Sequence, residues 1–506
     1  MGGLLRKVRF LLLLLLPLLL LPGVGPAPAA GESGVALTIL QMNDVYEIGP
    51  VGGGREGGLA RVATLRRQLL AEDPNLITVL SGDLFSPSAL GTAKVDGERL
   101  AGRQIVATLN VLGRDYATFG NHEFDVPEKS FLDRLRESRF AWISSNVRDR
   151  SGLPFPGVRE NAVVTIRGAG GAAVRVGLFG VTLDSNKAEY VTYADPVASA
   201  RAQVAALREN VDVVIAMTHL SAELDAALAR EVPGIDLILG GHEHENLLLE
   251  RGAAYVPICK ADANARTVFV HRLRFDPAAR ALTVQSSLRR VTPALPDDPA
   301  TQAEVLRWLE LGYAAFRAEG FEPERVVAAV PIALDGLEAS VRNRPTALTG
   351  LIADALRAAV PDAELAIFNS GSVRIDDMLP PGPLTEFDVI RILPFGGRVC
   401  RAEVEGGLLR RVLAQGRANH GQGGFLQTSG VSGEGELWLA NGEPITDGRA
   451  YRVALVEFLL SGREQGLEFF SDKTPGVRAA CQEGSDVRFA LRDHLQRRFG
   501  AAGGTR

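Results

Sequence analysis

The chain has 506 residues, of which 46% are apolar and 23% are charged, and its formal charge is −5. This balance is typical of globular proteins and excludes a wholly disordered chain. The acidic balance argues against binding to a nucleic acid polymer. The length exceeds what a single core normally supports, so we expect two large domains.

The chain contains three cysteines, Cys259, Cys400 and Cys481. Three thiols exclude a disulfide framework and a cysteine-rich zinc site. At most one disulfide can form, and the sequence does not indicate which pair would form it.

The first thirty residues are typical of a secretory signal peptide. Three basic residues precede an apolar run over residues 10–21, and small residues follow up to Ala30. The run is short for a membrane span of roughly 20 residues. We therefore expect cleavage near Ala29 or Ala30 rather than a retained membrane anchor. The sequence predicts a periplasmic or secreted protein with no stable membrane anchor after cleavage.

Apolar strands alternate with amphipathic helices over residues 35–290, which predicts an α/β domain. The predicted strands are Val35–Leu40, Leu76–Leu80, Val174–Phe179, Val211–Met217 and Ile235–Leu239. Asp298 and Pro299 are typical of a helix start, and that helix is predicted to end near Gly320. The predicted organisation is a signal peptide (1–30), a first domain (31–296), a linker helix (297–324) and a second α/β domain (325–506).

Polar residues follow five of the apolar runs directly. They are Asp44, Asp83, Asn121 with His122, His219, and His242 with His244. Any one of them alone would be read as a turn or capping residue. Because residues beyond the carboxyl ends of strands converge on one crevice in α/β sheets, we expect all five groups to face one another.

Mixed oxygen and nitrogen donors of this kind suit divalent Mn²⁺, Zn²⁺, Co²⁺ or Mg²⁺. Asp83, which follows Gly82, is the carboxylate predicted to bridge two metal ions. Two metals about 3.5–4 Å apart activate a water molecule and hold both oxygens of an in-line displacement. The sequence therefore predicts two divalent metal ions and phosphoester hydrolysis.

Four segments resemble the signature blocks of the calcineurin-like metallophosphoesterases. They are GDLF at 82–85, GNHEFD at 120–125, His219 after its strand, and GGHEH at 240–244. Together with the second domain, nearly the whole chain resembles the secreted 5′-nucleotidase and UDP-sugar hydrolase family. The resemblance implies a four-layer α/β/β/α sandwich followed by an α/β substrate-binding domain that rotates about the linker helix.

The resemblance also implies roles for individual residues. One metal would be held by Asp44, Asp83 and His244, and the other by Asp83, Asn121, His219 and His242. His122 would act on the scissile phosphate, and Asp125 would orient its imidazole. Asp125 could also cap the helix that follows, and the two roles are compatible.

One position departs from the family pattern. The first block of the family usually reads Asp-x-His, whereas this chain has Tyr46 two residues after Asp44. Tyr46 is a candidate metal ligand, or it packs while water takes the ligand position. Since a phenol is a poorer ligand than imidazole at neutral pH, we expect a weaker first metal site or one that prefers Mn²⁺ to Zn²⁺.

In the second domain, the resemblance implies a set of substrate-binding residues. They are Arg342, Asn369, Arg374, Phe395, Phe458 and Glu464. The arginines would bind phosphate, and the two phenylalanines would stack on the base. Without the resemblance, the phenylalanines could equally be core residues and Arg342 a surface charge.

These expectations describe an exported phosphohydrolase that releases phosphate from small nucleotides through in-line attack of a metal-bound hydroxide. Alternatives are hydrolysis of 2′,3′-cyclic nucleotides, of UDP-sugars or of a related sulfur ester. A non-catalytic nucleotide-binding protein is a further alternative because Tyr46 replaces a usual ligand. The preferred substrate, the native metals and the oligomeric state are left open by the sequence.

Overall fold

The computed structural model describes residues 34–168, 171–434 and 437–500. The predicted signal peptide, residues 1–30, lies outside the described residues. Among the described helices, none combines the length and apolar character needed to cross a membrane.

Two six-stranded mixed sheets form the first half of the chain. In spatial order, the first sheet consists of Ala281–Arg290, Thr267–Asp276, Val35–Met42, Ile77–Ser81, Tyr116–Thr118 and Ala141–Trp142. The second consists of Asn161–Arg167, Ala173–Thr182, Val213–His219, Leu237–Leu239, Val256–Lys260 and Leu247–Arg251. The predicted strands are all present, with ends shifted by up to three residues.

The two sheets pack face to face and carry helices on their outer faces. Aliphatic side chains from both sheets, such as Ile39, Val79, Leu178 and Ile215, fill the space between them. The helices on the first sheet are Leu59–Glu72, Arg103–Leu112 and Glu128–Glu137, and those on the second are Pro196–Arg208 and Ala222–Glu231. This is the predicted four-layer α/β/β/α sandwich.

The predicted linker helix spans Pro299–Ala318, and the Asp298 side chain caps it by accepting from Thr301 N at 2.9 Å. Trp308 and Phe316 on this helix are buried in the core outside the first sheet. The helix therefore packs firmly against the first domain.

The second half is built on a five-stranded sheet. In spatial order its strands are Leu426–Ser429, Leu365–Asn369, Ala450–Val456, Val399–Glu405 and Val477–Cys481. Its helices are Glu338–Val341, Ala347–Ala359, Glu386–Ile392, Gly406–Ala418 and Val487–Phe499. Helices cover both faces of this sheet, which gives two separate cores.

Shorter strands complete the fold. In the first half they pair Pro50–Val51 with Glu56–Gly57, Lys94–Val95 with Glu98–Arg99, and Val147–Asp149 with Val191–Tyr193. In the second they pair Val326–Val330 with Gly382–Thr385 and Leu334–Asp335 with Met378–Leu379, and Val431–Glu434, Leu437–Ala440 and Glu443–Pro444 form a three-stranded sheet.

The structure of the second domain shows which cysteines pair. Cys400 and Cys481 are directly opposite each other on neighbouring antiparallel strands and form a disulfide. Cys259 is a free, buried thiol.

Candidate metal and substrate site

The polar residues that follow the five strands meet at one edge of the sandwich. Asp44, Asp83 and His242 turn into the site with left-handed backbones, at φ of 52°, 61° and 87°. Such conformations are costly for residues with side chains and are concentrated at functional sites. A Cβ on Gly120 would lie 2.0 Å from Asp83 Oδ1, so only glycine permits this approach.

The two buried carboxylates are each anchored through one oxygen. Asp44 Oδ2 accepts from the His242 backbone N–H at 3.0 Å, and Asp83 Oδ1 accepts from the His122 backbone N–H at 2.8 Å. Their other oxygens face the middle of the cluster. Asp44, Asp83 and His219 each place one ligand atom within 4.8 Å of the others, and all three are buried.

His219 and Asn121 each have a buried polar atom without a hydrogen-bond partner. His219 Nδ1 is held by the Ser81 carbonyl at 2.9 Å, which leaves its Nε2 directed at the carboxylates, 3.3 Å from Asp83 Oδ2. Neither His219 Nε2 nor Asn121 Oδ1 makes a hydrogen bond, although both are buried. Unsatisfied buried polar atoms are costly, and a divalent metal ion is the group that these donors fit.

Proton binding in the cluster follows from its charges. Burial lowers the pKa of His219, but Asp83 and Asp44 outweigh burial and raise it to about 9. Burial and the neighbouring His219 lower the pKa of His242 to about 4. Burial raises the pKa of Asp83, yet His219 and His122 hold it below its ordinary value. The Asp83 carboxylate is therefore ionised, and a metal ion can replace the proton on the neighbouring His219.

Tyr46 lies among the candidate metal ligands. Its hydroxyl is 2.9 Å from Asp83 Oδ2, 3.3 Å from Asp44 Oδ1 and 3.2 Å from His244 Nε2. Burial and the two carboxylates raise the pKa of Tyr46 well above its ordinary value. The phenol is therefore neutral, and it donates a hydrogen bond to the Asp83 carboxylate instead of supplying an anionic oxygen.

His122 and Asp125 form the predicted pair. His122 Nδ1 lies 2.6 Å from Asp125 Oδ2, and the other Asp125 oxygen accepts from the Asn186 amide at 2.6 Å. Burial lowers the pKa of His122, but Asp125 and Asp83 outweigh it and hold that pKa above its ordinary value. Asp125 ends the short 3₁₀ helix His122–Asp125 and does not cap the next helix through its side chain.

A cleft of about 830 Å³ joins this cluster to the second domain. All six predicted substrate-binding residues line it, namely Arg342, Asn369, Arg374, Phe395, Phe458 and Glu464. Four of the candidate metal ligands line the opposite wall, namely Asp83, Asn121, His242 and His244. The structure thus brings the two predicted groups of residues together in one cavity.

The two phenylalanines are exposed to the cleft. Phe395 is 49% and Phe458 40% accessible, which excludes the alternative that they are core residues. The Arg374 guanidinium lies 5.7 Å from the centre of the Phe395 ring. Phe458 follows the strand Ala450–Val456 and lies in the 3₁₀ helix Glu457–Leu460.

Two polar residues of the second domain, Arg342 and Glu464, are not solvated surface residues. Arg342 forms an ion pair with Glu338 at 2.7 Å, so it is not a solvated surface charge. Glu464 is buried, one of its carboxylate oxygens has no hydrogen-bond partner, and burial raises its pKa.

Sequence reasoning missed Glu123, which lies inside the block GNHEFD. Its buried carboxylate accepts from the backbone N–H groups of Asp83 at 3.0 Å and of Leu84 and Gly120 at 2.5 Å. Burial and Asp83 raise the pKa of Glu123 to about 7. Glu123 thereby fixes the backbone that carries Asp83. The signal in the sequence that could have revealed this role is that Glu123 directly follows His122 in the GNHEFD block.

A second missed group lies behind the GGHEH block. The fully buried Lys260 ammonium contacts Glu243 and lies 2.9 Å from Asp225 Oδ2. It also donates to the Leu220 carbonyl at 2.6 Å. This network ties the loop that carries His242 and His244 to its sheet, and no spacing in the sequence indicates it.

A four-layer sandwich with this set of residues at its strand ends defines a metal-dependent phosphoester hydrolase. Residues 37–246 match the family described as calcineurin-like phosphoesterase, and residues 326–472 match the 5′-nucleotidase C-terminal domain. The chain therefore belongs to the 5′-nucleotidase family of metallophosphoesterases.

Comparisons with individual proteins agree with this assignment. The chain is 24% identical to the 5′-nucleotidase of Bos taurus, over 86% of this chain and 85% of that protein. The crystal structure of a 5′-nucleotidase precursor from Thermus thermophilus has the same fold, with a TM-score of 0.75 and 23% identity over 93% of this chain and 98% of that one. A sulfate thiohydrolase from Thermus thermophilus also shares the fold, with a TM-score of 0.66 and 17% identity over 91% of this chain and 94% of that one.

Proposed function

We propose that this protein releases inorganic phosphate from small nucleotides outside the cytoplasm, with two divalent metal ions bound at the strand ends. The observation that carries the proposal is the shared cleft. One of its walls is formed by the candidate metal ligands, and the other by two exposed phenylalanines with adjacent arginines. A nucleotide has the matching parts, since its phosphate suits the first wall and its base the second.

When bound, the metal ions would supply an activated water and neutralise charge on the phosphate oxygens. Asp44, Asp83 and His244 would hold the first ion. Asp83, Asn121, His219 and His242 would hold the second. Asp83 would serve both ions, on the backbone that Glu123 holds in position.

His122 would act beside the metals. Asp125 and Asp83 hold the pKa of His122 above its ordinary value, which favours the protonated imidazole that can donate from Nε2. We propose that it stabilises the phosphate and helps the leaving oxygen depart. Asp125 fixes the ring by its contact with Nδ1, which selects Nε2 as the catalytic nitrogen.

The second domain would bind the rest of the substrate. Phe395 and Phe458 would stack on the base, a contact that tolerates different bases. Arg374 lines the cleft, and its guanidinium would bind the phosphate. Glu464 would offer its unpaired oxygen to hydroxyl groups of the nucleoside.

An extracytoplasmic location fits the chemistry of the cysteines. The Cys400–Cys481 disulfide is of a kind that forms and persists in oxidising compartments. The predicted signal peptide would deliver the chain to such a compartment, a periplasm or the cell exterior.

Phosphate release tests the proposal directly. Purified protein would be assayed with AMP, UMP, UDP-glucose, 2′,3′-cyclic AMP and p-nitrophenyl phosphate, each with Mn²⁺, Zn²⁺ or a chelator. The products would also be separated by chromatography, because hydrolysis of UDP-glucose or of the cyclic nucleotide yields phosphomonoesters and no inorganic phosphate. We expect metal-dependent release of phosphate from AMP or UMP, and faster turnover of these than of p-nitrophenyl phosphate. Turnover confined to a cyclic nucleotide or UDP-glucose would replace the proposed substrate class. No turnover of any compound would contradict the proposal.

A further inference from the structure

The ring of His244 spans the boundary between the two domains. His244 belongs to the first domain, and its Nε2 faces the site, 3.6 Å from Asp44 Oδ1. Its Nδ1 lies 2.8 Å from Oδ2 of Asp376, a residue within the 5′-nucleotidase C-terminal domain. The partner of this candidate ligand therefore comes from the opposite domain.

Asp376 is built to hold that position. It is buried, and its Oδ1 accepts from the Glu338 backbone N–H at 2.8 Å. On the other side, the Arg266 guanidinium lies 3.7 Å from Asp376 Oδ2 and donates to the His244 carbonyl at 3.3 Å. Arg266 therefore links the Asp376 carboxylate to the backbone of His244.

His219, the buried histidine of the cluster, is oriented differently. His219 Nδ1 is held by the Ser81 carbonyl, within its own domain. A hydrogen bond to one ring nitrogen fixes the orientation of the imidazole and leaves the other nitrogen free for a metal. His219 receives this bond from the first domain alone, whereas His244 receives it only where the second domain is docked.

We propose that Asp376 is a positioning residue that orients His244 for metal binding, so that the second domain completes the metal centre as well as binding substrate. The inference rests on the proposed metal site. Replacing a group that orients a metal-binding histidine typically weakens metal binding about 10–100-fold.

The adjacent residue provides a matched control. Asp377 is also buried and also joins the domains, since its Oδ2 accepts from the Gly52 backbone N–H at 2.8 Å and lies 3.4 Å from Arg391. It has no contact with His244 among the described interactions. D376N and D377N therefore each remove one carboxylate charge from the domain boundary, but only D376N alters the partner of a candidate ligand.

The test is Co²⁺ binding to the full-length protein, measured by calorimetry and by the visible absorption of the bound ion, in the wild type, D376N, D377N and D83N. We expect D376N to raise the Kd for Co²⁺ about 10–100-fold and to change the absorption spectrum. We expect D377N to stay within about threefold of the wild type, a smaller change than that range. D376G, in which glycine accommodates the φ of 39° at this position, should reproduce the loss.

The outcomes separate the two proposals. If the wild type binds Co²⁺ and D376N binds it with the same affinity and spectrum, the role of Asp376 is wrong and the proposed metal site stands. An equal loss in D376N and D377N would also overturn the inference, since domain docking alone would then explain it. A wild type that binds no Co²⁺, or a D83N variant that binds it normally, would overturn both.

Discussion

The hydroxyl of Tyr46 lies 2.9 Å from Oδ2 of Asp83, the carboxylate at the centre of the candidate metal site. A histidine is usual at the Tyr46 position in the family that this chain resembles. The phenol is buried and neutral, so it competes with a metal ion for the same carboxylate oxygen. The first metal position is therefore predicted to bind more weakly than the second.

Tyr46→His is expected to tighten binding of Zn²⁺ at the first position on the order of tenfold, because a neutral imidazole is a better ligand than a protonated phenol. The measurement is Zn²⁺ binding by calorimetry, resolved into two sites. Tyr46→Phe is the control, since it keeps the ring and adds no ligand, and it should not gain the affinity of the histidine variant. Equal Zn²⁺ affinity in all three proteins would contradict this view of Tyr46.

His122→Ala is expected to lower kcat about 10²–10⁴-fold while the metal content stays unchanged, because the residue would act on substrate rather than on metal. Asp125→Asn should give a smaller loss, on the order of tenfold, since the imidazole remains but its orientation is weakened. Steady-state phosphate release and metal analysis of the same samples provide the test. Loss of bound metal in His122→Ala would show that the residue is a ligand instead.

Replacing the exposed phenylalanines should weaken nucleotide binding selectively. Phe395→Ala or Phe458→Ala would remove stacking worth about 1–3 kcal/mol per base, which corresponds to a rise in KM of roughly 5–150-fold for AMP. Ribose 5-phosphate is the control substrate because it has no base. A similar rise in KM for both substrates would indicate a general disturbance of the cleft and contradict base stacking.

The buried His271 predicts a dependence of stability on pH. Its Nε2 lies 2.8 Å from Gln41 Oε1 and its Nδ1 2.8 Å from Ser286 Oγ, and burial lowers its pKa to about 3. Below pH 6.5 the unfolded chain takes up a proton at this residue that the folded protein excludes. Its contribution to the free energy of unfolding is therefore lost as pH falls, by up to about 1.4 kcal/mol per pH unit.

The check is denaturant unfolding between pH 6.5 and 4.5 for the wild type and His271→Gln. The variant should be less stable at pH 7 but should lose stability less steeply on acidification. Parallel slopes for the two proteins would show that His271 does not titrate differently in the folded and unfolded states.

Cys400→Ser with Cys481→Ser should lower the free energy of unfolding by about 2–4 kcal/mol, because the disulfide closes a loop between residues 81 positions apart. Denaturant unfolding of the double variant measures this loss. Cys259→Ser is a comparison that removes a buried thiol without removing the bridge. A stability equal to that of the wild type in the double variant would contradict a structural role for the disulfide.

Much of the site is readable from the sequence because its signals are local. Asp83 and His219 each follow an apolar run that forms a strand, and the carboxyl ends of neighbouring strands meet. Local capping signals, Asp298 followed by Pro299, likewise predict the start of the linker helix. The exposure of Phe395 is not local information, since it depends on how the second domain faces the first.

The supporting residues could not be found in this way. Asp376 contacts His244 across 132 positions of sequence, and no pattern around either residue specifies the contact. Nothing in the sequence distinguishes Lys260 from a surface lysine, because its burial against Asp225 depends on the fold. Pairing of Cys400 with Cys481 requires the register of two strands, which the sequence leaves open.

We propose that metal ions held around Asp83 drive phosphoester hydrolysis. The most direct measurement is phosphate release from AMP by chelator-treated protein as Mn²⁺ is added back, for the wild type and Asp83→Asn. We expect the wild type to regain activity in parallel with metal binding, whereas Asp83→Asn should not. Full activity in the presence of chelator, or in Asp83→Asn, would contradict it.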